Sequence, residues 1–435
     1  MSAGSLRELA AANDVRFILA MFVDLAGKPC AKLVPAEAAD EFQAEGVGFA
    51  GYAAGLLGQQ PCDPDVIAIP DLASFTPLPA VRPGLALVHC DLHVEGRLWP
   101  YAPRVILAAM LARAADRGLS LKVGAELEYF LVHRRPDGTI DPADAGDVAA
   151  QPCYDARSVT RMYEHLTATS EAMNSLGWGN YANDHEDANG QFEQNFQFAE
   201  AMMTADRVIT GRYLISMLAE QRDMVATFMP KPFGTRTGSG LHLHVSLWDA
   251  SGPRFPGTDG GVLGLSTLAC HFVGGLLDHA PSLSAVLAPT VNSYKRSGAR
   301  TTTSGATWSP RQATYGGNDR THLIRVPDPH RVELRSGDGS ANPYLAMAAV
   351  LAAGLDGLDR ELDPGAPGLR EGARELPPTL LHAIDALDAD PVISGALDAA
   401  GPGVAAYYGK AKREEFLEWH SQVSSWEIDR YLTAF

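Results

Sequence analysis

Gly124-Ala125-Glu126-Leu127-Glu128-Tyr129-Phe130 sets two glutamates at alternate positions of an otherwise apolar run. Side chains alternate along a strand, so Glu126 and Glu128 share one face. Burying a carboxylate without a partner is costly, so these acids either face water or serve a specific site. A strand with a wet acidic face would read the same, and this stretch alone favours that plainer reading.

Three further stretches change the weighing. In His185-Glu186-Asp187-Ala188-Asn189-Gly190-Gln191-Phe192-Glu193, Asn189-Gly190 is a hairpin turn signal. A turn there brings Glu186 and Glu193 together, although a solvated acidic turn is also common. Gly238-Ser239-Gly240-Leu241-His242-Leu243-His244-Val245-Ser246 alternates two histidines with apolar residues, so both rings share a face. Such a pair is often structural unless partners surround it. Arg331-Val332-Glu333-Leu334-Arg335 puts three charged residues on one face and two apolar ones on the other. Glu126, Glu128, Glu186, Glu193, His242 and Glu333 together offer five carboxylates and one imidazole. That oxygen-rich set suits Mg²⁺ or Mn²⁺ rather than Zn²⁺. Crowded acids repel one another, and divalent cations offset the repulsion.

Between Lys295 and Arg335 lie eight bases and only three acids, Asp319, Asp328 and Glu333. Guanidiniums bind phosphate and carboxylate in a forked geometry. Metals beside an arginine cluster suit phosphoryl transfer, where catalysis is mostly positioning and charge neutralisation. For Arg300 and Arg311 a basic surface loop is the better reading. The sequence holds no G-x-x-x-x-G-K-[ST], no G-x-G-x-x-G and no H-E-x-x-H. Any nucleotide is therefore held by another architecture.

The rest of the chain frames these stretches. Its 435 residues suffice for two or three domains, and 46% apolar with 20% charged residues is ordinary for a globular protein. A formal net charge of −17 repels nucleic acid and anionic membrane, so neither is an expected partner. No run of about 18 apolar residues occurs, and Met1 to Leu9 does not read as a signal peptide, which makes the cytoplasm the expected compartment. The five scattered cysteines read as unpaired thiols. Residues 5–13 and 36–45 read as helices, and 15–24, 29–34 and 84–93 as strands. This first part is a small α+β unit. Pro103 opens an apolar helix that Gly118 closes. Residues 154–176, 201–221 and 345–358 read as further helices. Residues 361–377, rich in Gly, Pro and charge, read as a surface loop.

In this order the stretches resemble the glutamine synthetase family over nearly the whole chain. The match includes Lys231-Pro232-Phe233, Asn292-Ser293-Tyr294-Lys295-Arg296 and Ala341-Asn342-Pro343-Tyr344 as well as those quoted above. The resemblance implies an α+β fold: a β-grasp domain over residues 1–98, then a catalytic domain over 99–435 with a curved antiparallel sheet and surrounding helices. It implies that Glu128, Glu186 and Glu193 hold a metal near glutamate, and Glu126, His242 and Glu333 one near the ATP phosphates, with two or three Mg²⁺ or Mn²⁺ ions per site. Arg296 and Arg335 would bind the carboxylates of glutamate, with Gly238 at its amino group and Glu128 beside it. Arg320, Arg325 and Arg331 would sit on the phosphates, and His244 and Ser246 would line the nucleotide side. It also implies homo-oligomers of stacked rings, commonly dodecamers, with each site between one catalytic domain and a neighbour's N-terminal domain. The family reaction joins the γ-carboxylate of glutamate to an amine through γ-glutamyl phosphate.

Three departures matter. Ammonia-using members carry F-D-G-S-S where this chain has Gly48-Phe49-Ala50-Gly51-Tyr52, so Ala50 stands in place of the Asp. They also carry a flap glutamate where residues 297–308 hold no acid, a stretch about six residues longer before Arg320. Ammonium needs acceptors and negative charge; removing both acids leaves room for an alkyl group. This pattern resembles the subgroup that makes γ-glutamylmethylamide, so methylamine is the expected amine. Asp187, beside Glu186, is the candidate base, because an alkylammonium must lose a proton before attack. Trp308 could line the amine pocket or simply fill core. Finally, residues 359–378 hold no tyrosine, so control by adenylylation there is not expected. The rival expectations are ammonia as substrate, a polyamine or aromatic amine as substrate, and a catalytically dead scaffold.

Overall fold

The computed structural model describes residues 4–258, 261–297, 309–369 and 371–435. Arg300 and Trp308, and all but Ser297 of the 297–308 stretch, lie outside the described residues.

Phe17–Val23 reads FILAMFV, apolar at every position, and the structure uses both of its faces. Ile18, Ala20 and Phe22 join Leu6, Phe42 and Val88 in a small core. Met21 and Val23 point the other way, with Leu87, into the large core of the rest of the chain. A near-continuous hydrophobic run is what burial on both faces requires. The strand pairs antiparallel with Pro29–Pro35 and parallel with Leu85–Val94. Gly27, at φ +83°, makes the first connection. Val66–Pro70 and Val47–Phe49 complete the main path of this mixed sheet. The helices Leu6–Ala12 and Ala39–Glu45 pack on it, as their sequence patterns predict.

The larger sheet runs, in spatial order, Asn180–His185, Gln191–Phe196, Ser120–Arg134, Leu243–Asp249, Arg331–Leu334, Ile324–Asp328 and Tyr315–Gly316. Its pairs along this path are antiparallel except the last, where Tyr315–Gly316 runs parallel to Ile324–Asp328. Behind it lies Pro343–Asp359, an Ala/Leu helix buried nearly throughout. The helix Pro103–Ala115 opens with Pro at its first turn, and Gly118 follows at φ +70°. Its Ala102 and Val105 ends pack into the small core, so the two parts of the chain share it. Arg104 ties the parts further, donating to Asp71 (2.5 Å), Asp91 (2.7 Å) and Asp206 (3.1 Å).

One expectation is corrected. The helix expected over 154–176 is two helices, Ala156–Arg161 and Tyr163–Ser175. Asp155 caps the first, and Met162 leaves helical geometry at φ −95°, ψ 12°, re-aiming the second so that Leu166, Thr169 and Met173 face inward. Residues 361–377 form the expected surface loop, exposed for much of their length and anchored to the body. Tyr315 Oη donates to the Gly365 carbonyl at 2.5 Å, and Leu376 N–H to the Arg311 carbonyl at 2.8 Å.

Candidate active site

Strand register decides which acids meet. Glu193 sits directly opposite Glu128, Asn195 opposite Glu126, and His244 opposite Glu333. The turn after His185 places Glu186 beside them, with its N–H on the Gln191 carbonyl at 3.0 Å and Gly190 at φ +81°. Carboxylate oxygens of Glu128, Glu186 and Glu193 come within 4.8 Å of one another. Like charges at directly opposed positions destabilise a strand pair unless something neutralises them.

These residues line one cavity of about 370 Å³. Of the fifteen site residues expected from sequence, twelve line it: Glu126, Glu128, Glu186, Asp187, Glu193, Gly238, His242, Arg296, Arg320, Arg325, Glu333 and Arg335. His244, Ser246 and Arg331 stand outside its lining. Arg331 is exposed, donating to Asp328 at 2.5 Å and to His244 Nδ1 at 3.2 Å. Ser246 is buried and accepts from Trp248 Nε1 at 3.0 Å.

His242 Nδ1 lies 2.7 Å from Glu126 and 3.7 Å from Glu333, while its Nε2 lies 3.7 Å from Glu128. His244 Nε2 also reaches Glu126, at 2.8 Å. The expected trio of Glu126, His242 and Glu333 is thus contiguous. Ligand atoms that lie within 4.8 Å of one another, however, fall into the groups Glu126 with His244 and Glu333, and Glu126 with Glu193 and His242. Glu126 belongs to both groups, and His244, expected on the nucleotide side, stands with the carboxylates Glu126 and Glu333.

The electrostatics follow from burial and company. Burial pushes the Glu126 carboxyl up, but hydrogen bonds to His242 and His244 outweigh it and hold the group well below the usual range. Glu333 is held low against the same burial by His242 and Arg335, whose Nη1 is 2.5 Å away. Arg325 reaches the other oxygen of Glu333 at 2.7 Å. Glu186 and Glu193 are pushed well above the usual carboxylate range, first by burial and then by neighbouring acids. Asp184 is pushed up to about 6 for the same reasons. Arg296 is buried; burial lowers its affinity for a proton, and Glu128 and Asp338 act against that loss. Arg335 Nε is a buried donor with no partner among the described residues.

This donor set fits divalent cations. Glu186 and Glu193 are buried among other acids that repel them, and a divalent cation would supply the charge that lets them ionise together. Oxygen ligands with limited imidazole match hard cations. The arginines fit anionic groups of a substrate.

Glycine permits the close packing of this site. A Cβ at Gly238 would lie 2.3 Å from the Pro230 carbonyl oxygen. One at Gly240 would lie 2.7 Å from His242 Nε2, 2.8 Å from Glu128 Oε1 and 2.9 Å from Arg296 Nη2. The Gly240 N–H donates to Glu128 at 2.7 Å.

Several functional positions escape sequence reasoning. Cys153, Tyr154, Asp184, Thr237 and Ser309 also line the cavity. Asp184 was discoverable, because the hairpin that joins Glu186 to Glu193 sets it opposite Glu193. Asp147 was not. It lies 38 positions before His185 and accepts from Gly190 N–H at 2.6 Å and Asn189 Nδ2 at 2.9 Å, holding the turn that carries Glu186. Ala50, the substitution that bears on the amine, is exposed and not in the lining of this chain's cavity.

Residues 100–431 match the family described as glutamine synthetase, catalytic domain. A protein named glutamine synthetase from Rhizobium leguminosarum is 43% identical over 430 residues, covering 97% of each chain. One named glutamate–methylamine ligase from Methyloversatilis universalis is 41% identical over 449 residues, covering 100% of each. Among solved structures, a GmaS/ADP complex superposes with TM-score 0.92 at 47% identity, covering 98% of this chain and 99% of the other. Ligand-free GmaS, a γ-glutamylmethylamide synthetase, gives 0.91 at 45%, covering 99% of both. With this fold and cavity, the protein is an ATP-dependent glutamate–amine ligase. It belongs to the glutamine synthetase family.

Proposed function

We propose that the protein joins the γ-carboxylate of L-glutamate to methylamine, giving γ-glutamylmethylamide, ADP and phosphate. The observation that carries this reading is the loss of both acids that would hold ammonium, Ala50 standing at one position and residues 297–308 lacking an acid at the other. Likeness to a glutamate–methylamine ligase and to GmaS supports it. Ammonia is the second reading, favoured by the relatives named glutamine synthetase.

Glu128, Glu186 and Glu193 would hold one divalent ion, and Glu126, His242 and Glu333 another, with Mg²⁺ or Mn²⁺ in two or three positions. Such ions neutralise phosphate charge and let the crowded carboxylates ionise. Arg296 and Arg335 fork onto the carboxylates of glutamate, and Gly238 leaves backbone room at its amino group. Arg320, Arg325 and Arg331 steady the phosphates, with His244 and Ser246 on the nucleotide side. The γ-carboxylate oxygen attacks the γ-phosphorus and ADP leaves. Asp187 then takes a proton from the alkylammonium, and the free amine attacks the acyl carbon and expels phosphate. Residues 1–98 and 99–435 act as a β-grasp domain and a catalytic domain. Stacked rings, a dodecamer in the cytoplasm, place a neighbour's Ala50 at each amine entrance. No helix among the described residues is long and apolar enough to cross a membrane.

The test is phosphate release with glutamate, ATP and Mg²⁺, run in parallel with ammonium and methylammonium. Methylammonium should give the higher kcat/KM. Equal or better turnover with ammonium would replace the first reading by the second.

A further inference from the structure

An alkylammonium ion asks two things of a pocket: carboxylates for its N–H groups and uncharged surface for its carbon. The cavity lining has seven acids, four arginines and one histidine, leaving five neutral residues. Gly238, Thr237 and Ser309 are small. The remaining two, Cys153 and Tyr154, are adjacent in sequence and offer the larger uncharged surfaces.

Their neighbours are on the acidic side. The Cys153 thiol lies in the field of Asp187, Glu186 and Asp184. Tyr154 shares Glu186 and Asp184 and also feels Arg320. Acid and uncharged surface therefore adjoin here, next to the carboxylate assigned to deprotonate the amine. The backbone here is fixed. Tyr154 takes φ +62°, a left-handed conformation that non-glycine residues seldom adopt. Its N–H is fixed on the His185 carbonyl at 2.9 Å, and Asp155 begins the helix that follows. Uncommon backbone geometry held by surrounding bonds clusters at ligand sites. Here it turns Cys153 and Tyr154 toward the cavity together, Cys153 half-buried and Tyr154 more exposed.

We propose that Cys153, backed by Tyr154, is the wall against which the alkyl group of the amine packs, and that the volume at position 153 sets how long that group can be. This rests on reading the cavity as a glutamate–alkylamine ligase site. A thiol is small and apolar in character, so it accepts a methyl group without competing for the amine's protons.

The test measures kcat/KM of the full-length enzyme, with saturating glutamate and ATP, for ammonium, methyl-, ethyl- and n-propylammonium. Cys153→Ala enlarges the pocket and should raise the ethyl-to-methyl ratio about tenfold, the effect of one methylene in an apolar pocket. Cys153→Leu fills it and should lower the methyl-to-ammonium ratio by about the same factor. Cys153→Ser preserves volume and should leave the length at which turnover fails where it is. A general structural defect would scale all amines alike, so ratios separate the two causes. Unchanged ratios in Cys153→Ala overturn the proposal, even if Cys153→Leu does not fold. The methylamine reading fails separately, when the unaltered enzyme prefers ammonium. In that case a Cys153→Ala variant that still gains ethylammonium would keep the wall.

Discussion

His185 Nε2 lies 2.6 Å from Asp147 Oδ2, and neither side chain is exposed to solvent. The other ring nitrogen, Nδ1, meets the Glu186 carbonyl at 2.8 Å. The imidazole thus links a buried carboxylate to the backbone of the residue whose side chain enters the acidic cavity. Groups one step removed from metal ligands govern the ligands' orientation.

Asp147→Ala should therefore weaken divalent-ion binding about 10- to 100-fold without touching a carboxylate of the site. Mg²⁺ titration of glutamate-dependent ATP turnover, beside Mn²⁺ binding followed by calorimetry, checks this. Both should shift together. Loss of the Gly190 and Asn189 bonds should also lower Tm in the absence of metal.

The pocket acids predict a metal effect that grows with pH. Asp184 rises from an ordinary 3.8 to about 6, and Glu186 and Glu193 also rise. A raised folded-state carboxyl binds its proton more tightly than the unfolded chain does. Its stabilising contribution is present at pH below the unfolded value and is lost as pH climbs through the folded value. Without divalent ions, Tm should fall as pH climbs through about 6 and beyond. With Mg²⁺, which binds only the ionised acids, the gain in Tm should be larger at pH 8 than at pH 5.5. A metal-induced shift that shrinks with pH would contradict the assignment.

A second buried histidine gives a pH effect of its own, away from the cavity. His279 Nδ1 lies 2.7 Å from Asp390 and Nε2 2.9 Å from Asp356. Burial pulls the imidazole down, but the two carboxylates prevail and raise its proton affinity above the ordinary value. Its contribution is full below the unfolded value of 6.5 and fades as pH rises through the folded one. His279→Gln should cost about 2 kcal/mol at pH 6, less at pH 9, measured by denaturant unfolding at both pH values. An equal cost at both pH values would show that the ring contributes as a neutral group.

How much of this was legible follows from what alternation encodes. Glu126 with Glu128, and His242 with Leu243 and His244, announce strands with one functional face; the structure has Glu126, Glu128 and His244 in strands, with His242 immediately before its strand. Asn189-Gly190 marks the turn that joins Glu186 to Glu193. FILAMFV reads as a strand, but which core each face meets depends on distant helices. Asp147 and Cys153 lay hidden because nothing local marks them: their importance comes from residues 38 and 34 positions away, His185 and Asp187. The break at Met162 escaped for a related reason. Helix propensity runs through it, and tertiary packing of the second helix sets the change of direction.

Gly240→Ala is the sharpest single test of the site's compactness. The new methyl would stand 2.7 to 2.9 Å from His242 Nε2, Glu128 Oε1 and Arg296 Nη2 at once. Ordinary contact needs more than half an ångström beyond that, and side chains cannot all withdraw from one point. Glu128 is held by the Gly240 N–H itself and by Gln191 Nε2 at 3.2 Å, so it cannot retreat without losing those bonds. Arg296 is buried, with Ser336 carbonyl at 3.5 Å from Nη1. The substitution therefore displaces a cavity carboxylate and a cavity guanidinium together, where Glu128→Ala or Arg296→Ala removes only one. Glutamate KM and the Mg²⁺ requirement should both rise, with kcat/KM falling at least 100-fold, since about 1 Å of misplacement costs that much. The global fold should persist, because Gly240 has no positive φ to lose. Near-normal kinetics in a folded Gly240→Ala enzyme would mean that the reacting site is assembled elsewhere in the cavity.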